Sequence, residues 1–243
     1  FDIIEYQQKV CPLDICFARR EDKQHWTTYS TNQFIETAHK LSIGLLKLGL
    51  KKGDKIAIVS VTNRPEWHFI DLACSQIGVI NVPIYPTISG KEYEYIFNHA
   101  EIKFIFLSDK LMHRKLREII PLVQSIKGIY SFDVVENVQH WKEIMHSDEL
   151  LENQLKEIKD SIQPQDLATI IYTSGTTGTP KGVMLSHDNI VTNVRDCLAA
   201  IPIQKKEKVL SFLPLCHVFE RTINYTYFAA CSSIYYSDGL ETI

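Results

Sequence analysis

Residues 172–183 form a segment, YTSGTTGTPKGV, whose side chains could bind phosphate. Gly175 and Gly178 allow backbone N–H groups to approach an anion without steric interference from a Cβ atom. Ser and Thr hydroxyls add hydrogen-bond donors, and Lys181 adds a positive charge. The spacing differs from that of a Walker A loop, because Pro180 occupies the position of that motif's second glycine. The segment therefore predicts a phosphate-binding loop of another kind.

A flexible surface linker is the simpler interpretation of a stretch rich in Gly, Ser and Thr. Such a linker needs no lysine, no proline before that lysine and no apolar strand on each side. This segment has all three, with strand-like residues at 168–172 and 182–185. The pattern therefore favours phosphate binding over a linker.

The same twelve residues resemble the signature loop of the adenylate-forming superfamily. This superfamily includes acyl-CoA synthetases, aryl-CoA ligases, luciferases and the adenylation domains of peptide synthetases. The resemblance implies that the loop contacts the β- and γ-phosphates of ATP and the departing pyrophosphate. The residues to which it assigns this contact are Thr173, Ser174, Gly175, Thr176, Thr177, Gly178 and Lys181.

A second segment, LPLCHVFERT at residues 213–222, resembles the next core motif of the superfamily in the version common among long-chain acyl-CoA synthetases. The resemblance implies that His217 is catalytic and lies beside the acyl carboxylate and the α-phosphate, and that Phe219 helps to wall the acyl site. A histidine that opens a helix can donate a hydrogen bond to a carboxylate, and an adjacent aromatic ring offers apolar surface to a lipid chain. A hydrogen-bonded core histidine remains the alternative.

Two other readings of this segment are weaker. His217 and Glu220 are three residues apart and could both bind a metal ion, but no further suitable ligands cluster nearby, so we predict no metal site in the chain. Cys216 and His217 could suggest a thiol nucleophile, but consecutive residues rarely align for proton transfer. We therefore expect Cys216 to contribute to packing.

Three upstream segments extend the resemblance over nearly the whole chain. KGDKIAI at 52–58, NRPEW at 63–67 and GVINVPIYP at 78–86 are similar to the N-terminal lobe of long-chain acyl-CoA synthetases. For Trp67, Tyr85 and Pro86 we expect structural roles in a helix start, a turn and the core.

The activity implied by the resemblance is that of an AMP-forming long-chain fatty acid-CoA ligase. A fatty acid attacks the α-phosphate of ATP to form an acyl-adenylate, and coenzyme A then displaces AMP. The implied cofactors and substrates are ATP, Mg²⁺, coenzyme A and a fatty acid. Two alternatives stay open: an adenylating enzyme that passes the acyl group to a carrier protein, and a nucleotide-binding module without catalysis.

The elements that position these residues alternate between helix and strand. Residues 30–49 place apolar side chains at three- and four-residue steps, which predicts an amphipathic helix. Further helices are predicted from Pro65 to Gly78 and after the capping-box pattern at 89–92. The predicted strands are 55–60, 80–82, 103–107, 168–172, 182–185, 208–213 and 233–236, and the later helices are 147–160, 186–200 and 217–230. This alternation predicts an α/β fold with mostly parallel sheets flanked by helices. The resemblance implies that these sheets form part of a large N-terminal domain.

The polar stretch at 161–166 suggests a boundary between an N-terminal lobe, 1–163, and the start of a second lobe, 164–243, that carries the phosphate-binding loop. The chain begins with Phe rather than Met and stops soon after a strand-like run. We therefore expect it to be a piece of a longer protein that lacks the rest of the N-terminal domain and a C-terminal domain. We also expect that it is catalytically incomplete by itself.

Composition limits the choice of partners. The chain has 26 Lys and Arg against 29 Asp and Glu, a formal net charge of −3, so it has no basic surplus for nucleic acid. Its six cysteines form no CxxC pair, which indicates reduced thiols in the cytoplasm. No apolar run approaches the roughly 18 residues of a membrane span, although a lipid substrate is compatible with peripheral contact with a membrane surface.

Overall fold

The computed structural model describes residues 1–21, 25–174 and 178–237, and helices and strands alternate along them. The helices are α1 Asp2–Val10, α2 Thr31–Lys47, α3 Pro65–Gln76, α4 Gly90–His99, α5 Lys110–Leu116, α6 Glu149–Ser161, α7 His187–Ala200 and α8 Val218–Ala229. The strands are β1 Phe17–Arg20, β2 Trp26–Tyr29, β3 Lys55–Val59, β4 Ile80–Ile84, β5 Ile102–Leu107, β6 Gly128–Ser131, β7 Gln139–His140, β8 Leu167–Thr173, β9 Lys181–Ser186, β10 Lys208–Ser211 and β11 Ser233–Tyr236. Two 3₁₀ turns, Ile120–Leu122 and Trp141–Ile144, complete the set among these residues.

The central sheet contains seven strands in the order β7-β6-β5-β3-β4-β8-β9. All neighbouring pairs are parallel except β8 and β9, which form an antiparallel hairpin. The chain passes from β3 to β4 on one side and then crosses to β5 on the other side of β3. In open parallel sheets, ligands bind beyond the carboxyl ends of the strands near such a reversal. The topology therefore directs attention to the ends of β3, β4 and β8.

Burial on both faces explains why β3 is continuously apolar. Ile56 and Ile58 pack into one hydrophobic cluster with residues of α2 and α3, whereas Ala57 and Val59 pack into a second cluster with residues of α4. All four side chains are fully buried. Each buried aliphatic side chain of valine or isoleucine size contributes about 1.5 to 3 kcal/mol, so the two helix layers hold the sheet from both sides.

A second, smaller sheet has the order β10-β11-β1-β2, with only β1 and β2 antiparallel. Phe17 on β1 is fully buried and its ring contacts Phe34 of α2 at 4.7 Å, Phe228 of α8 at 5.4 Å and Phe69 of α3 at 5.9 Å between centroids. These helices also belong to the cluster that contains β3 and β5 side chains. The helix layer therefore packs against both sheets.

The predicted fold class, α/β with mostly parallel sheets flanked by helices, is confirmed. Both sheets combine strands from either side of residue 163, since β1 pairs with β11 and β4 pairs with β8. The division into lobes 1–163 and 164–243 stays a prediction.

Candidate functional site

The hairpin of β8 and β9 carries the predicted phosphate-binding loop. Its last pair brings Thr173 opposite Lys181, and the residues Thr173, Ser174, Gly178 and Lys181 are exposed. Gly175, Thr176 and Thr177, to which the resemblance also assigned phosphate contacts, lie outside the described residues. The described part of the loop, which also includes the exposed Thr179, thus presents three hydroxyls and one ammonium group at the open end of the hairpin.

Two glycines shape this hairpin. Gly178 has φ of +81°, a conformation in which a side chain would be strained. Gly182 pairs with Tyr172, and a Cβ atom there would lie 2.8 Å from Cγ2 of Ile170. Glycine therefore sets both the backbone turn of the loop and the close packing of β9.

The base of the hairpin is held by Tyr172. Its side chain is buried, and the phenol oxygen lies 2.7 Å from Nδ1 of His99 on α4. Burial raises the pKa of Tyr172 to about 12, so the phenol stays protonated and can donate this hydrogen bond. The loop consequently projects from an anchored strand.

The charge pattern of the hairpin suits a polyanion. From residue 167 to residue 186 the sequence contains no Asp or Glu, and Lys181 is its one charged residue. Lys181 forms no ion pair with any residue that the structure describes. Hydroxyl and ammonium donors without a carboxylate beside them can bind phosphate without competition from a neighbouring protein anion.

His217 caps the N-terminus of α8. Its Nδ1 accepts a hydrogen bond from the backbone N–H of Phe219 at 3.1 Å, so a neutral ring carries its proton on Nε2. The side chain is exposed, which is not the environment of a core histidine. Nε2 is therefore a donor that can reach a ligand.

Phe219 lies beside this donor and is 60% exposed, one of the most exposed aromatic residues in the described part of the chain. An exposed phenyl ring next to a polar donor can bind the apolar part of a ligand whose polar end meets the histidine. The arrangement agrees with the predicted role of Phe219 in substrate binding, which stays a prediction.

Strand register places His217 and the hairpin loop at the same edge of the central sheet. The parallel strands β4 and β8 are paired at Asn81 and Thr169, and four residues later they reach Tyr85 and Thr173. The Tyr85 ring contacts the His217 ring edge to face, with 6.5 Å between centroids. The predicted phosphate-binding loop and the histidine therefore lie beyond the carboxyl ends of adjacent strands, where ligands bind in such sheets.

The neighbours of His217 have structural partners. Glu220, the second candidate metal ligand of this segment, is buried. It accepts hydrogen bonds from Ser211 Oγ at 2.6 Å and from Asn224 Nδ2 at 3.1 Å. Burial raises the pKa of the Glu220 carboxyl. Cys216 is buried as well, and burial raises the pKa of its thiol to about 12, so it is a packing residue and a poor nucleophile.

Sequence reasoning missed a set of buried polar side chains that support α8. Asn63 binds the turn before His217, and Arg221 pairs with Asp71 of α3 at 2.6 Å. Arg221 also lies over the Trp67 ring, with 5.3 Å from its guanidinium carbon to the ring centre. The signal that could have revealed this set is the presence of Asp71 within α3, and of Asn63 just before it, in a segment rich in large apolar residues.

Two features, a cluster of metal-binding side chains and a membrane-spanning helix, are absent from residues 1–21, 25–174 and 178–237. These residues contain no group of three or more His, Cys, Asp or Glu side chains that could hold a metal ion. None of their helices is both long and apolar enough to cross a membrane.

The chain is similar in sequence to several proteins that are named as acyl-CoA synthetases. Over 235 residues the chain is 32% identical to long chain acyl-CoA synthetase 6, peroxisomal, of Arabidopsis thaliana, which covers 90% of this chain and 32% of that protein. Over 210 residues it is 34% identical to fatty acyl-CoA synthetase A of Dictyostelium discoideum, which covers 82% of this chain and 30% of that protein. The chain therefore spans about a third of the length of these relatives.

Solved structures show the same fold. A long-chain-fatty-acid-CoA ligase from Archaeoglobus fulgidus superposes with a TM-score of 0.81 at 20% identity, covering 97% of this chain and 46% of that one. The N-terminal domain of FACL13 from Mycobacterium tuberculosis gives a TM-score of 0.76 at 18% identity, covering 96% of this chain and 55% of that one. These likenesses confirm that the architecture is that of the N-terminal part of such ligases.

A family model described as AMP-binding enzyme matches residues 4–242, which is nearly the whole chain. The match includes the hairpin of β8 and β9 and the segment that presents His217. This chain belongs to the family of AMP-binding enzymes.

Proposed function

We propose that the whole protein containing this chain is an AMP-forming long-chain fatty acid-CoA ligase. It would use ATP to convert a fatty acid to an acyl-adenylate and would then transfer the acyl group to coenzyme A. The observation that carries the proposal is the open end of the β8–β9 hairpin, where Thr173, Ser174 and Lys181 are exposed at the same edge of the central sheet as His217. The named relatives, which are acyl-CoA synthetases, support the choice of substrate.

In this proposal the hairpin binds the β- and γ-phosphates of ATP. The Lys181 ammonium group and the hydroxyls of Thr173 and Ser174 donate to the phosphate oxygens, as do backbone N–H groups of the glycine-containing turn. We assign the same role to Gly175, Thr176, Thr177 and Gly178. Because the loop is rooted in a buried strand, it holds the pyrophosphate leaving group in a fixed position relative to the fatty acid.

His217 serves the other end of the reaction. Its Nε2–H donates to the fatty acid carboxylate and the α-phosphate, which brings two groups of like charge together and stabilises the charge that develops on the phosphate. Phe219 supplies apolar surface for the first carbons of the acyl chain.

Mg²⁺ supplies positive charge that shields the phosphates when it is bound with ATP. The hairpin has hydroxyl groups but no carboxylate to serve as a Mg²⁺ ligand, so we assign it no ligand among the described residues. Catalysis by this chain's own residues then consists of positioning and charge stabilisation. No protein nucleophile is required, in agreement with the burial of Cys216.

The test is fatty acid-dependent release of AMP by the whole protein, measured with ATP, Mg²⁺ and a long-chain fatty acid. Lys181→Ala should raise the KM for ATP at least tenfold, because a hydrogen bond from a charged group contributes about 1.5 to 3 kcal/mol. Lys91→Ala, which removes an exposed lysine of α4, is the matched control and should leave the KM unchanged. If the whole protein releases no AMP with each of the long-chain fatty acids tested, the proposed activity is refuted.

The acceptor is tested in the same assay. Coenzyme A should accelerate turnover and yield acyl-CoA, whereas product formed only with an acyl carrier protein would assign the protein to the acyl-AMP ligases instead. We also propose a cytoplasmic location with peripheral contact with a membrane surface, where a lipid substrate would be found. All six cysteines are free thiols, which supports a reducing compartment.

A further inference from the structure

Asn63 joins the two sheets at the predicted active site. It lies in the connection between β3 and α3, beyond the carboxyl end of a central strand. Its partners lie at and after the end of β10, in the segment that leads from the smaller sheet into α8. One side chain therefore connects the edge of the central sheet to the turn that presents His217.

The amide of Asn63 makes three hydrogen bonds to this segment. Nδ2 donates to the carbonyl oxygen of Leu213 at 2.6 Å and to Oγ of Ser211 at 2.9 Å. Oδ1 accepts from the backbone N–H of Leu215 at 3.1 Å. The side chain thus binds a carbonyl and an N–H group two residues apart, as a neighbouring β-strand would. It uses both of its donor hydrogens and its acceptor for this purpose.

These bonds fix the chain on both sides of His217. The turn that Asn63 holds at 213 and 215 is closed by a hydrogen bond from the His217 N–H to the carbonyl oxygen of Pro214 at 2.9 Å. On the other side, the Ser211 hydroxyl that accepts from Asn63 donates to Glu220, one helical turn after His217, at 2.6 Å. The Asn63 amide therefore helps to set the position of the turn that presents the imidazole, whose Nδ1 also accepts from the Phe219 N–H.

We propose that Asn63 is a positioning residue that acts through His217. The inference rests on the proposed function, since it gives the histidine a role at the fatty acid carboxylate. Asn63 makes no hydrogen bond to residues 167–174 or 178–186, the part of the β8–β9 hairpin that the structure describes, and this hairpin is supported separately by β4 and by the contact of Tyr172 with His99. Loss of Asn63 should accordingly impair the acyl end of the reaction and leave ATP binding intact.

The test is a double-mutant cycle in the whole protein with Asn63→Ala, His217→Ala and the double variant. The readouts are kcat/KM for the fatty acid, the KM for ATP and the thermal midpoint. Asn63→Ala should lower kcat/KM about 100-fold, the effect of a misplacement of roughly 1 Å, with the KM for ATP unchanged. The double variant should be no worse than His217→Ala, because a histidine that is absent cannot be misplaced.

Two further variants serve as controls for the double-mutant cycle. Asn98→Ala removes an exposed asparagine of α4 and should leave every readout at the wild-type value. Asn63→Ala combined with Lys181→Ala should show multiplied effects, because the two residues support different parts of the site.

Asn63→Asp covers the case in which the alanine variant does not fold. Aspartate keeps an acceptor for the Leu215 N–H but loses both donors until its carboxyl is protonated. Its activity relative to wild type should therefore rise as the pH falls, because the protonated carboxyl regains a donor for the Leu213 carbonyl. A ratio that does not change with pH would contradict the inference.

The cycle separates failure of this inference from failure of the proposed function. Wild-type activity in His217→Ala would overturn the role of the histidine itself. If His217→Ala is impaired but the double variant shows the product of the two single effects, Asn63 acts independently of His217 and the positioning role is wrong.

Discussion

The buried ion pair between Asp71 and Arg221 ties α3 to α8, and Asp71→Asn tests how much it stabilises the protein. Arg221 Nη2 donates to Asp71 Oδ1 at 2.6 Å, and the two side chains are only 5% and 4% exposed. Asp71 also accepts hydrogen bonds from Asn81 Nδ2 at 2.8 Å and from the Tyr225 hydroxyl. Substitution by asparagine keeps the shape of the side chain but leaves the guanidinium charge without its counter-ion.

The expected loss of stability is about 3 kcal/mol. Removal of one partner from a buried ion pair typically costs about 3 to 5 kcal/mol, because the other charge remains desolvated. Two features place the value at the lower end. A cavity of about 280 Å³, lined by both residues, can admit water to the unpaired guanidinium group. The Trp67 ring also continues to face this group, with 5.3 Å between the guanidinium carbon and the ring centre.

Urea unfolding at pH 7, followed by the fluorescence of the buried Trp67 and Trp141, measures the change. The double variant Asp71→Asn/Arg221→Met should be more stable than Asp71→Asn alone, because it removes the charge that was left unpaired. Glu36→Gln breaks an exposed ion pair with Lys40 on α2 and should leave the midpoint unchanged. Wild-type stability in Asp71→Asn, or a double variant that is the less stable of the two, would refute this reasoning.

Three further substitutions test local features by the same urea unfolding. Gly44→Ala should cost about 3 kcal/mol although alanine favours helices, because its Cβ would lie 1.6 Å from the carbonyl oxygen of Ile144; a gain in stability would contradict this packing. Ser30→Ala should cost about 1 kcal/mol by removing the acceptor for the Gln33 N–H, and no change would mean that this cap does not stabilise α2. Burial lowers the pKa of His68 from 6.5 to about 4. As the pH falls from 6.5 to 4, His68 therefore gains a proton in the unfolded chain but not in the native state. The free energy of unfolding should consequently decrease by about 3 kcal/mol over this range. His68→Gln should lack this loss, and an equal decline in both proteins between pH 6.5 and 4 would count against the assignment.

Helices and strands with strong local signals were predictable from the sequence. The helix expected at 30–49 is α2, Thr31–Lys47, and the strand expected at 233–236 is β11. Capping boxes that begin at Ser30, Ser89 and Ser186 mark the starts of three helices, because each serine side chain binds the N–H group three residues later. In these places the residues that decide the structure are neighbours in the sequence.

The N-terminal elements were not predictable in this way. Strands β1 and β2 have four residues each, and β1 obtains its place from parallel pairing of Phe17 with Ile234, which is distant in the chain. Their segments, FARR and WTTY, carry no apolar run of the kind that marks the equally short β11 (SIYY), and the partner of β1 is fixed only by the tertiary fold. Helix α1, Asp2–Val10, was missed too, although it packs Ile4 and Gln7 into the interior.

The same distinction between local and distant signals applies to the candidate site. The motif around Lys181 and the motif around His217 were both found, because each is a contiguous segment with unusual residue types. The structure adds that they lie at the same edge of the central sheet, where Tyr85 contacts the His217 ring and is level with Thr173 in the strand register. The buried polar supports were not found, since Asn63 and Leu213 are 150 residues apart in sequence, as are Asp71 and Arg221.

The two halves of the site therefore depend on different parts of the fold. The hairpin that carries Lys181 is built on β8, which is paired with β4 in the central sheet. His217 depends instead on α8, whose start is held by Asn63 and whose first turns are held by Asp71, and both of these belong to the segment between β3 and β4. That segment touches the smaller sheet and the central sheet alike, so it sets the position of the histidine relative to the phosphate loop. Motion or substitution there can change how His217 is presented without altering the hairpin residues that we propose bind phosphate.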